Sequence, residues 1–164
     1  MLWSCFLYVV FQIFLSSGLA MAAVQLVCPG REMSISIEDF QQLKNPVILD
    51  CRKFEEFKVS HIKNSEWIGE EEPQNSVLIN PKDTVIIYCS VGYRSGLATE
   101  YLRSKGNQNV FNLKEGIFGY VNKRNSVYTS SGNKVLKVHP YRWPWDFLIL
   151  NKDITTNYSD DQLE

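Results

Sequence analysis

From Ser34 to Val121, short apolar runs of four or five residues alternate with stretches whose apolar positions recur at helical spacing. Ile35 and Ile37 alternate as in a short strand, and Ser36 is placed to cap a helix over Ile37 to Leu43, with Asp39 in its first turn. Val47 to Cys51 follows Pro46 and is apolar on both faces, as a buried parallel strand should be. Lys53 to Lys58 predicts a short helix, Ser65 to Ile68 a strand, and Glu70 to Gln74, acidic and broken by Pro73, a solvated loop. Thr84 to Tyr88 is the clearest central strand. Ser95 to Ser104 carries Leu97, Ala98, Tyr101 and Leu102 at helical spacing and is closed by Gly106. Val110 to Leu113 predicts the last strand and Ile117 to Val121 the last helix. Strands alternating with helices predict an α/β fold with a parallel sheet and right-handed crossovers.

The two ends break this pattern. The first charge is Arg31, and Leu2 to Leu15 is almost wholly apolar, followed by Ser16-Ser17-Gly18 and Ala20-Met21-Ala22-Ala23. That is the order of a secretory signal over residues 1–22 with cleavage near Ala22 or Ala23, although the segment before the apolar run has no Lys or Arg. A retained anchor, since the apolar stretch to Val27 is long enough to span a bilayer, and translation from Met21 or Met33, giving a cytosolic protein, are the alternatives. Residues 23–34 are expected to be a linker and 35–127 the domain. Residues 128–150 hold a turn at Tyr128 to Asn133 and then Val138-His139-Pro140-Tyr141-Arg142-Trp143-Pro144-Trp145. Trp143, Trp145, Phe147, Leu148 and Ile149 are too apolar for a free tail, so this extension is expected to pack on the domain. Residues 151–164 are a polar tail expected to fray from Asn157.

Length and charge narrow the function. A chain of 164 residues allows one domain of ordinary size. Seventeen Lys and Arg against 18 Asp and Glu leave a net charge of −1, so no basic face points to nucleic acid as a partner. Four cysteines are too few for a disulfide scaffold and none has zinc-site spacing, so no metal is expected.

Cys89 ends the strongest strand, and ligands of open α/β sheets bind beyond the carboxyl ends of strands. Ser90-Val91-Gly92-Tyr93-Arg94 follows, with a helix expected from Ser95. A loop of this length, with Gly92 free to take unusual dihedrals, turns backbone N–H groups inward as an anion nest above a helix N-terminus. The same field favours a thiolate, helped by Arg94 if its guanidinium folds over the loop.

These features together resemble the rhodanese-like family from about Ile35 to Asn125. The matching residues are Leu49-Asp50-Cys51-Arg52, Glu55-Glu56-Phe57, Ser60-His61-Ile62-Lys63-Asn64-Ser65, Val85 to Cys89 with Gly92, Arg94 and Ser95, and Asn112-Leu113-Lys114-Glu115-Gly116-Ile117. Ser60 and Glu115 stand where the family usually has Gly. The resemblance implies an open parallel five-stranded sheet flanked by helices on both faces. It also implies a sulfurtransferase that carries sulfane sulfur as a persulfide on Cys89, aided by Arg94, with Ser90, Val91, Gly92, Tyr93 and Ser95 as the substrate loop and no cofactor. The donor would be a small sulfur-containing anion such as thiosulfate, or a persulfide; the acceptor would be a thiol or a cyanide-like nucleophile. A monomer is expected, with a membrane as partner only if the leader is retained. Related phosphatases and arsenate reductases place five residues between Cys and Arg, where this chain has four, a smaller cradle that suits sulfur better than phosphate. Similar tails occur in exported bacterial members, in keeping with a periplasmic or secreted protein.

Asp50 and Arg52 resemble structural residues near the site, with Arg52 expected to pair with Glu55 or Glu56. His61 is expected to be buried and hydrogen-bonded rather than a base. Cys51 ends a strand that neighbours that of Cys89 in the rhodanese topology, so it is a candidate resolving cysteine, with a small buried hydrophobe as the alternative. A redox-active dithiol protein and a non-catalytic binding module are the competing functions.

Overall fold

The computed structural model describes residues 19–70, 80 and 82–158. The apolar stretch Leu2 to Leu15, residues 71–74 of the acidic loop and residues 159–164 of the tail lie outside the described residues.

The chain opens on α1 (Leu19–Val27), a 3-10 turn (Arg31–Met33) and β1 (Ser34–Ile35). α2 (Ile37–Gln42) starts at Ser36, whose hydroxyl accepts from the Asp39 N–H at 3.0 Å. β2 (Val47–Asp50), α3 (Phe54–Val59), β3 (His61–Ile62) and β4 (Ser65–Trp67) follow. Next come β5 (Val85–Tyr88), α4 (Tyr93–Ser104), β6 (Val110–Leu113) and α5 (Gly116–Asn122). The chain closes with β7 (Val127–Tyr128), β8 (Lys134–Val135), β9 (Lys137–Val138), a 3-10 turn (Trp145–Leu148) and β10 (Thr155–Thr156).

Five strands form one parallel sheet in the order β1-β6-β5-β2-β4. β5 is central and wholly buried, and its side chains serve two cores in alternation, as the two-residue period of a strand requires. Val85 and Ile87 pack with Leu49, Val110 and Leu102 of α4; Ile86 and Tyr88 pack with Ile37, Ile117, Phe118 and Val121 of α2 and α5. Helices therefore cover both faces. The strand order runs outward from β2 to β4 but the opposite way from β5 to β6, so it reverses between β2 and β5. The carboxyl ends of these two strands, Asp50 and Tyr88 in register, open onto the crevice that such a reversal creates.

Residues 23–34, expected as a linker, are instead structured: α1 packs on the main core through Ala20 and Met21, each 5% exposed, with Val24 beside them. The expected cleavage point thus falls inside a helix that the domain uses. Among the described residues no helix is long and apolar enough to cross a membrane. α4 begins at Tyr93 rather than Ser95, because Gly92 takes a left-handed φ of 95° ahead of the helix and the Ser95 hydroxyl is spent on Asn112 at 2.7 Å.

The C-terminal extension forms more structure than its sequence suggests. β7 and β8 make a hairpin across the expected turn, β7 adds to β3, and β9 pairs with β10. Val138, Leu148 and Ile154 enter the main core, and Trp145, Phe147 and Ile149 pack against it. Trp143 does not: it is 79% exposed, because the Trp145 N–H bonds the Arg142 carbonyl at 2.9 Å and leaves Trp143 at the tip of that turn. The start of the tail does not fray as expected. The Asn157 N–H bonds Val138, and Tyr158 meets the His139 ring edge-on.

Candidate active site

Cys89 is 1% exposed and sits at the end of β5, where the chain turns through Ser90, Val91 and Gly92 into α4. Each carbonyl of this turn is engaged from outside. The Cys89 and Ser90 carbonyls accept from the N–H groups of Ile117 and Phe118 in the first turn of α5, at 2.9 and 3.0 Å. The Val91 carbonyl accepts from the Gln25 side chain of α1 at 2.7 Å, and the Gly92 carbonyl from Asn112 at 3.0 Å. With the carbonyls held away, N–H groups are left to face the sulfur: Gly92 N–H donates to Cys89 Sγ at 3.2 Å, and the Ser95 amide also bonds it. This is the nest expected from the loop. Gly116 is indispensable to it, since a Cβ there would lie 2.3 Å from the Cys89 carbonyl oxygen and its φ is 56°. Glu115, in the slot where the resemblance led to Gly, takes a left-handed φ of 65° without touching the sulfur.

Burial by itself would raise the Cys89 pKa, yet the thiol lies well below the ordinary cysteine range. The neighbouring Cys51 thiol, the Arg94 charge and the Ser95 amide together outweigh desolvation. Cys51 is the other half of this arrangement. Its thiol is held protonated, well above its usual range, by the neighbouring Cys89 sulfur and by burial, and it donates to the Tyr88 carbonyl at 3.3 Å. Asp50 pairs with Tyr88, and the Cys51 N–H bonds the Tyr88 carbonyl at 3.0 Å, which carries the register of β2 and β5 to the two cysteines. Cys28 is buried nearby, with its Sγ 3.8 Å from the Val91 carbonyl and its pKa pushed up to about 11 by burial and the Cys89 charge.

Arg94 folds over the loop as expected, donating to the Ser90 hydroxyl at 2.8 Å, but it does not act as a free cation. Its guanidinium grips Glu56 by two hydrogen bonds of 2.7 and 2.9 Å and also bonds Glu70. Glu56, 1% exposed, further accepts from the Ser90 hydroxyl at 2.7 Å and from the Lys53 N–H at the start of α3. Although desolvation works the other way, Arg94 and Arg52 hold its carboxyl below the usual glutamate value. Glu56 is therefore the anchor that joins α3, the loop and α4, a role not read from its sequence.

Arg52 does not pair with Glu55 or Glu56. It clamps Asp50 through Nε and Nη2, the closest contact being 2.7 Å, and caps the Ser60 carbonyl at 2.6 Å, with both partners fully buried. His61 stacks on Phe57 at 4.0 Å between ring centroids and bonds the Phe57 carbonyl through Nδ1. It lies apart from the cleft over Cys89.

That cleft has a volume of about 370 Å³ and is lined by Cys89, Ser90, Val91, Tyr93 and Arg94 at its base. Its walls are Val24 and Val27 of α1, Phe118 of α5, and Tyr141, Arg142 and Trp145 of the extension, none of them anticipated from sequence. Gln25 and Asn112 had visible signals, each a polar residue inside an apolar run, whereas the wall residues had none. Among the described residues no cluster of His, Cys, Asp and Glu has the makings of a metal site.

The model of the rhodanese-like domain matches residues 36–123, more than half of the chain. The chain belongs to the rhodanese-like domain family. A rhodanese-like domain-containing protein 17 of Arabidopsis thaliana is 33% identical over 109 residues, covering 56% of this chain and 70% of that one. A tRNA uridine(34) hydroxylase of Photorhabdus laumondii is 29% identical over 92 residues, covering 51% of this chain but only 26% of the hydroxylase. Among solved structures, a rhodanese-related protein from Thermoplasma volcanium superimposes with a TM-score of 0.52 at 26% identity, over 57% of this chain and 95% of that one. In this rhodanese-like chain, α1 and the extension from Tyr141 lie outside the matched residues, so two walls of the cleft are additions to the family domain.

Proposed function

We propose that this rhodanese-like protein is a sulfurtransferase that carries sulfane sulfur as a persulfide on Cys89. One observation carries the reading: a thiolate-favoured cysteine at the carboxyl end of the central strand, ringed by Gly92 and Ser95 donors at the floor of an open cleft. The Cys89 thiolate attacks the outer sulfur of a donor. A bond forms between Sγ and that sulfur, the donor's bond to it breaks, and the electron pair departs with the leaving group. Loop N–H groups then face the terminal sulfur anion, and a second nucleophile takes that sulfur and regenerates the thiolate. The four residues between Cys89 and Arg94 favour sulfur over a tetrahedral phosphate. The test is thiocyanate production from a panel of sulfane donors and cyanide, with an aryl phosphate run in parallel. Turnover of a sulfur donor with no phosphate release is expected; robust phosphate release with no thiocyanate overturns the assignment.

A dithiol reading is favoured by a separate observation, the placing of Cys51 and Cys89 side by side just beyond the paired ends of β2 and β5, where the Cys51 N–H bonds the Tyr88 carbonyl. Attack of the Cys51 sulfur on Cys89 Sγ of the persulfide gives a Cys51–Cys89 disulfide and expels hydrosulfide, which keeps the thiol proton. Peroxide reaches the same disulfide through a sulfenic acid on Cys89, with water as the final leaving group. Mild peroxide followed by peptide mapping without reduction is expected to find this disulfide, with dithiothreitol restoring activity. Sulfinic acid on Cys89 with Cys51 still free would remove the reading.

A further inference from the structure

The cleft over Cys89 is larger and less polar than an inorganic sulfur anion requires. Above the loop its walls are Val24, Val27, Phe118, Tyr141, Arg142 and Trp145. Its volume falls in the range of sites that enclose organic ligands. Both added segments are fastened to the domain: Gln25 of α1 bonds the Val91 carbonyl and the Glu115 N–H, and Tyr141 lies 4.6 Å under the Arg94 guanidinium.

The charges point the same way. Among the described residues that line the cleft, Arg94 and Arg142 are the charged side chains besides the Cys89 thiolate. Glu56 and Glu70 already pair with Arg94, and Arg142 lies over the Tyr141 ring at 5.2 Å. A dianion such as thiosulfate would meet a base whose cation already pairs with two carboxylates, and walls whose surface is mainly valine and aromatic carbon, with Arg142, the Tyr141 hydroxyl and the Trp145 N–H as their polar groups. A monoanion whose single charge sits on the reacting sulfur needs only the loop N–H groups, and its apolar remainder finds valine and aromatic surface.

Resting on the persulfide reading of Cys89, we propose that this cleft selects monoanionic organic sulfane donors with an aryl or long alkyl body over inorganic thiosulfate. With an organic thiosulfonate, the Cys89 thiolate attacks the terminal sulfur. The Sγ–S bond forms, the bond from that sulfur to the sulfonyl sulfur breaks, and the pair leaves on the organic sulfinate, with no proton moved.

The test compares methanethiosulfonate, benzenethiosulfonate and thiosulfate as donors to the full chain with cyanide as acceptor. The first two share the reacting group and differ in the apolar body. Burying a ring against the walls is expected to raise kcat/KM about tenfold or more for the benzene compound, chiefly through KM, because the contact is made in ground and transition states alike. Thiosulfate should be the poorest donor. Trp145→Ala on the extension and Val24→Asn on α1 should each shrink the benzene-to-methane ratio, and the two lie on separate segments, so misfolding of one leaves the other to decide. Equal kcat/KM for the two thiosulfonates, or a preference for thiosulfate, overturns the proposal while leaving the persulfide reading standing. Failure of every donor to load Cys89 removes both.

Discussion

Replacing Cys89 by serine is expected to lower sulfur transfer on the order of a thousandfold or more, the scale on which loss of a nucleophile is felt. The hydroxyl keeps a partner for the Gly92 N–H and fills nearly the same buried space, so cooperative unfolding should be retained. What it lacks is ionisation. A thiol that its Cys51, Arg94 and Ser95 neighbours bring below its ordinary range ionises more readily than a free cysteine, and an alcohol in the same place does not ionise. Thiocyanate production by the variant at the wild-type rate would show that another group receives the sulfur.

Glu56→Ala should have the largest effect on stability, because the substitution strips a buried anchor of four donors and leaves Arg94 to Glu70 and Ser90 alone. A loss of about 3 kcal/mol is expected in urea unfolding, the cost of breaking a largely buried ion pair from one side. The pH dependence gives an independent signature. The native Glu56 carboxyl lies below its ordinary 4.5, so its contribution is complete above that value and is lost as pH falls through the depressed native one. His61 and His139, which burial lowers from 6.5, act in the same sense from that value downward. Wild-type stability should therefore rise with pH toward the ordinary cysteine value on account of the depressed Cys89 thiol, decline as the histidines take up protons below about pH 6.5, and fall more steeply in the carboxylate range. Glu56→Ala should keep the first decline and soften the second. An unchanged acid limb would mean that Glu56 does not hold the loop.

The parts of the molecule legible in the sequence are those with strong local contrast. Val85 to Tyr88 reads as a buried strand because all four residues are apolar, and Cys89 is conspicuous as the residue that ends it before a Gly-containing turn. Asp50 and Arg52 are close enough in the chain for their pairing to be local, so their buried structural position was within reach, although the expected partner of Arg52 was not. Glu56 meets Arg94 across 38 positions, and spacing carries no record of such a contact. α1 was hidden for the opposite reason. An uncharged, apolar stretch offers no polar face against which helical periodicity shows, so it read as leader and linker even though Ala20 and Met21 are core residues. In the extension the strands are two residues long, too short to alternate, and Trp143 and Trp145 are separated only by Pro144 yet differ in burial because a turn lies between them.

The proposal that Cys89 is the sulfur carrier is tested most directly by the mass of the protein itself. After incubation with a sulfane donor and removal of excess, intact mass measurement is expected to show a gain of one sulfur atom. Peptide mapping should place it on Cys89, and cyanide should release it as thiocyanate with return to the starting mass. A chain that gains no sulfur from any donor, or gains it on Cys28 or Cys51 with Cys89 unmodified, would contradict the account.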